Sequence, residues 1–68
     1  MMKPHEKSLM FGKGDLVNVK VDDEDILTEN FTGRIESLTD TMVRVVHPTE
    51  GSFDFNIEQI ERAADEND

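Results

Sequence analysis

The sequence predicts an all-β fold, a small barrel of five short strands with one 3-10 or helical turn before the last strand. Three observations carry that expectation. Apolar and polar residues alternate with period two in several short runs, and the apolar positions are mostly valine, isoleucine and phenylalanine. Turn-forming residues separate the runs: Gly12 and Gly14, then Thr39 and Asp40, then Pro48 and Gly51. No run is long enough, or has the right period, for an amphipathic helix of several turns.

Taken in order, residues 1–8 are expected to form a flexible segment, because Pro4 and scattered charges oppose a helix start. Leu9, Met10 and Phe11 are adjacent apolar residues expected to lie over one open end of the barrel. The first strand is 16–21, with Val17, Val19 and Val21 inward and Leu16, Asn18 and Lys20 outward. Residues 22–30 are too many for a minimal hairpin loop, and Ile26 and Leu27 are expected to fold the tip back onto the domain.

The second strand is Phe31–Leu38, with Phe31 and Ile35 on one face and Gly33 between them. A glycine inside a strand marks a bulge, a strong bend or a close backbone approach. The third strand is 41–47, with Val43 and Val45 inward. The fourth is 52–56, with Phe53 and Phe55 on one face. Ile57 and Ile60 have the spacing of a single helical turn, and 61–63 supply a last short strand. Residues 64–68 read as a disordered acidic tail, so the folded domain is expected to span 9–63.

Composition bounds the function. The 68 residues make one domain and contain no cysteine, so neither a disulfide nor a thiolate metal site supplies stability. No signal-peptide core or membrane-length apolar run is present in the sequence, and a soluble cytoplasmic protein is expected. Sixteen acidic residues against seven basic ones give a formal net charge of −9. Such a surface repels nucleic-acid phosphates and anionic lipid headgroups, and it favours a partner with a basic surface.

The run Gly14, Asp15, Leu16, Val17, Asn18, Val19, followed by Gly33, Arg34, Ile35 and by Val43, Arg44, Val45, resembles the SH3-like barrels of the KOW and Tudor type. That resemblance implies a five-stranded barrel ending in a helical turn, and it covers nearly the whole domain. The aromatic cage by which Tudor-type readers hold a methylated side chain does not carry over, since the chain has no Trp and no Tyr. Gly33, Arg34, Ile35, Glu36, Ser37 and Leu38 also look like a segment of the bacterial Sm-like RNA chaperones. Those proteins place a helix ahead of the first strand, which this sequence does not predict. The lysine–histidine pair of their RNA contacts is missing here, so the resemblance implies a ring-forming strand edge rather than RNA binding.

No constellation of residues supports catalysis. His5 and His47 are remote from each other, and His47 reads as a turn residue before Pro48. Asp22, Asp23, Glu24, Asp25 and Glu29 lie in a stretch without a base, yet lack the spacing and central glycine of a calcium loop. They are the candidate partner-binding residues, through charge complementarity and strand addition at an exposed sheet edge. The expectation is a non-enzymatic, cofactor-free protein that binds a basic nucleic-acid-handling protein. It would act as a regulator, an inhibitor of the kind phages encode, or a nucleic-acid mimic. The alternative is a direct RNA- or DNA-binding module that uses Lys20, Arg34 and Arg44 on successive outward faces. Against it, those cations are expected to pair with Glu36 or other surface acids across the strands. Oligomeric state is left open by the sequence.

Overall fold

A computed structural model describes residues 3–63. A five-residue helix, α1 (Pro4–Ser8), precedes five strands: β1 (Leu16–Val19), β2 (Phe31–Leu38), β3 (Met42–His47), β4 (Gly51–Asn56) and β5 (Ile60–Arg62). One turn of 3-10 helix, η1 (Ile57–Gln59), separates β4 from β5. The strands form one antiparallel sheet in the order β4-β3-β2-β1-β5. The all-β expectation holds, with the helical turn where the spacing of Ile57 and Ile60 placed it.

Burial shows how the sheet is bent. Val17 and Val19 of β1, Ile35 of β2, Val43 and Val45 of β3, Phe55 of β4, Ile57 of η1 and Ile60 of β5 form one buried cluster. Strands at opposite ends of a flat five-stranded sheet would stand about 19 Å apart. Among the described residues no second sheet covers these side chains, so the sheet curls over its own inner face in a barrel-like arrangement. The two end strands are consecutive in the chain, and η1 spans the gap between them.

Two devices produce the curvature. Gly33 sits where a β-carbon would come within 2.2 Å of the Val46 carbonyl oxygen and 2.9 Å of Val45 Cγ1, so only glycine permits this backbone approach. The register of β2 against β3 shifts by one residue between Ile35 and Ser37. This bulge inverts the alternation, and Leu38 therefore packs against the core although Arg34 and Glu36 are exposed. The sequence pointed to Gly33 for the bend; the structure divides the work between Gly33 and the bulge just after it.

Three expectations near the ends are corrected. The start of the chain is helical over Pro4–Ser8, because proline at the first helical position has no N–H to leave unsatisfied and a preset φ. Of the apolar trio, only Phe11 packs against the core, while Leu9 and Met10 are 81% and 54% exposed. The Arg62 guanidinium lies 5.4 Å from the Phe11 ring centroid, donates to the Met10 carbonyl and approaches Asp15 at 3.8 Å. That clasp turns Phe11 inward and leaves its two neighbours outside. Strand boundaries also move: β1 ends at Val19, and β5 begins at Ile60. The predicted tail 64–68 lies outside the described residues.

Candidate partner-binding surface

The acidic stretch connects β1 to β2 and is tied down at its base. Lys20 N–H donates to the Gln59 carbonyl at 2.7 Å, and Val21 N–H donates to Asn30 Oδ1 at 2.8 Å. At the tip, the Asp23 carbonyl accepts from Ile26 and Leu27 N–H, and Asp23 Oδ1 accepts from Asp25 N–H at 3.0 Å. Aspartate side chains favour such local turns, so Asp23 shapes the loop as well as charging it. Leu27 folds back onto the core as expected, but Ile26 stays 46% exposed.

Gln59 connects this loop to the sheet, a role the sequence reading missed. Its Nε2 donates to the Lys20 carbonyl at 2.9 Å and to Asp22 Oδ1 at 3.1 Å. Its Oε1 accepts from Asn56 N–H at 2.9 Å, while Asn56 Oδ1 accepts from Glu58 N–H. Asn56 and Gln59 thus form a reciprocal capping pair at the start of η1. The signal was legible as an asparagine followed three residues later by a glutamine.

The five acids are exposed, and among the described residues none of Asp22, Asp23, Glu24, Asp25 and Glu29 has a lysine or arginine within ion-pairing distance. Their charge is therefore available to a partner. No group of three His, Asp or Glu side chains that could hold a metal ion is present among the described residues.

The basic residues are placed differently. Arg44 lies directly opposite Asp54 and binds it twice, Nε to Oδ1 at 2.8 Å and Nη2 to Oδ2 at 3.2 Å. The hydrogen bond from Arg44, with its positive charge, holds the Asp54 carboxyl below the ordinary aspartate range, partly opposed by desolvation. The same bond and the Asp54 charge raise the Arg44 guanidinium, with a smaller push from Glu36. Arg34 donates to the Gly14 carbonyl at 2.9 Å. Lys20 follows β1, beside the capping turn. Asn18 pairs with Thr32, so Lys20 stands about 13 Å along the strands from Arg34. The structure does not gather these three cations into one patch.

Two open grooves flank the loop. One, with a volume of ≈ 510 Å³, is lined by Asp22, Asp23 and Ile26 of the loop and by Met42, Asp54 and Asn56 of β3 and β4. The other, ≈ 440 Å³, carries both Lys7 and Lys20 and Glu58 and Glu61, so it presents no field of a single sign. His47 belongs to neither. Its Nδ1 accepts from Thr49 and Glu50 N–H, each at 3.0 Å, and its ring packs 4.6 Å from Phe31, which gives it a turn-fixing role.

Fold and surface together define a small all-β protein with a five-stranded antiparallel sheet, one acidic loop and a groove beside an end strand. No protein-family model, curated protein or solved structure matches the chain. Among the described residues, no helix is long and apolar enough to cross a membrane.

Proposed function

We propose that this protein is a non-enzymatic SH3-like module that binds a protein with a basic surface, as a regulator or inhibitor of a nucleic-acid-handling protein or as a nucleic-acid mimic. The observation that carries this reading is the distribution of charge. The acids of the loop lack cationic partners among the described residues, whereas Arg44 is matched by Asp54. An acidic surface of this kind attracts a basic partner and orients its approach, most strongly at low ionic strength. The SH3-like assignment draws support from five short antiparallel strands and the helical turn before the last.

The loop can be tested without disturbing its turn or its latch to Gln59, because Glu24, Asp25 and Glu29 can be changed while Asp22 and Asp23 are kept. With the chain as bait in a cell lysate at low salt, the native protein is expected to retain basic proteins identifiable by mass spectrometry. The triple variant Glu24→Lys, Asp25→Lys, Glu29→Lys is expected to lose about tenfold or more of that capture, with the difference shrinking as salt is raised to about 0.5 M. Equal capture by a variant whose circular dichroism is native contradicts the reading.

A further inference from the structure

We infer that the free edge of β4 takes an extended basic segment of the partner as a sixth, antiparallel strand, with its cationic side chains directed into the groove beneath the acidic loop. This rests on the reading above and specifies how the partner is held.

The direction of the β4 main chain follows from two hydrogen bonds. Ile57 N–H donates to the Thr41 carbonyl at 2.8 Å, just beyond the Met42–Asn56 pair. In an antiparallel ladder that makes Met42–Asn56 a pair without mutual hydrogen bonds, and Val43–Phe55, Val45–Phe53 and His47–Gly51 the bonded pairs. The N–H and C=O groups of Ser52, Asp54 and Asn56 therefore point away from β3. The N–H of Asn56 agrees, since it reaches Gln59 Oε1 rather than a strand. Ser52 and Asp54 are left with both main-chain groups directed outward, and Asn56 with its carbonyl.

Among the described residues no strand pairs with this edge, and β4 contains neither the proline nor the lysine that commonly block edges. The opposite end strand is a poor site. β5 has only three residues, its Ile60 N–H is taken by the Ile57 carbonyl, and Arg62 is engaged by the N-terminal segment. Strand addition at β4 is favoured on both length and access.

The alternation of β4 specifies the occupant. A residue bonded opposite Asp54 shares the outer face with Asp54, which lines one groove together with Asp22 and Asp23. A residue opposite Phe53 shares the inner face, where Phe53 is half-buried and packs on the core. The complementary segment alternates cationic with apolar or β-branched residues. A second copy of this chain lacks that complementarity, because each copy carries −9. An antiparallel addition is chosen because its hydrogen bonds are better aligned than those of a parallel one.

The register makes a specific demand. Residues opposite Ser52 and Asp54 donate their own N–H to β4, so the lysine amides of the segment, and not the intervening ones, face the edge. The test uses 15N-labelled protein and an eight-residue peptide alternating lysine with valine or threonine, at about 20 mM salt where charge is little screened. Binding is expected to protect the Ser52 and Asp54 amides from hydrogen exchange. N-methylation of the lysine amides is expected to weaken binding about tenfold, as the loss of roughly two hydrogen bonds would. N-methylation of the intervening amides is expected to change it little. If both methylated peptides bind alike and only the 22–29 resonances move, strand addition is overturned while the charge-based reading stands. If Ser52 and Asp54 are already protected in a peptide-free dimer, the edge belongs to a second copy and the inference fails. If no peptide binds at low salt, both fail.

Discussion

Gly33→Ala is expected to lower the melting temperature of the domain by at least roughly 12–24 °C. The added methyl would stand 2.2 Å from the Val46 carbonyl oxygen, 2.9 Å from Val45 Cγ1 and 3.1 Å from Phe31 Cε2. The nearest atom is backbone, and Val46 is fixed between Arg34 on one side and Ser52 on the other. Relief requires β2 and β3 to part, at a cost of about 3 kcal/mol or more. A chain of this size has roughly 3–10 kcal/mol of stability in total. Gly33 has no positive φ, so its requirement is for space and not for conformation. Gly14 supplies the contrast: its φ is 93°, yet nothing lies within 4 Å of a β-carbon there. Gly14→Ala should cost only about 1–2 kcal/mol, the ordinary penalty of a left-handed backbone. Thermal melting followed by circular dichroism separates the two. A Gly33→Ala protein that melts within a few degrees of the native one would show that β2 and β3 do not approach so closely.

Ile57→Ala should have the second largest effect. Ile57 is fully buried, at 0% exposure, and sits in the turn that spans the two end strands. Its N–H holds the Thr41 carbonyl at 2.8 Å, so the backbone is anchored and the core has little freedom to collapse onto a smaller side chain. A loss of about 3 kcal/mol is expected, which lowers the melting temperature of a domain this small by roughly 12–24 °C. Met42→Ala, on an exposed side chain facing the groove, should leave the melting temperature nearly unchanged. Equal small shifts for the two variants would mean that η1 does not close the core.

The difference between what was legible and what was not follows the range of the interactions. β2 was readable to both ends because Phe31, Gly33 and Ile35 alternate with polar residues and a turn follows at Thr39 and Asp40, although the bulge after Ile35 was not announced. The Arg44–Asp54 pairing was within reach as well. Placing Val43 and Val45 opposite Phe55 and Phe53 across the Pro48 to Gly51 turn leaves Arg44 facing Asp54. Contacts between distant parts of the chain were not visible. Arg62 holds Met10, Phe11 and Asp15 together across nearly the whole sequence, and no local pattern announces it. The helix Pro4–Ser8 was missed because Pro4 was read as a breaker, although proline at a first helical position is a starter. Of the candidate site, the acids were evident from composition. The latch of Gln59 on Asp22 and the open edge of β4 needed the register.

This surface is expected to engage cations and to reject phosphate. The most direct test is fluorescence anisotropy of two labelled ligands at about 20 mM salt, the alternating lysine peptide and a single-stranded oligonucleotide. Peptide binding that falls as salt rises, with no binding of RNA or DNA, is the predicted result. Oligonucleotide binding that is lost on changing Lys20, Arg34 and Arg44 to glutamate, with no peptide binding, would contradict it.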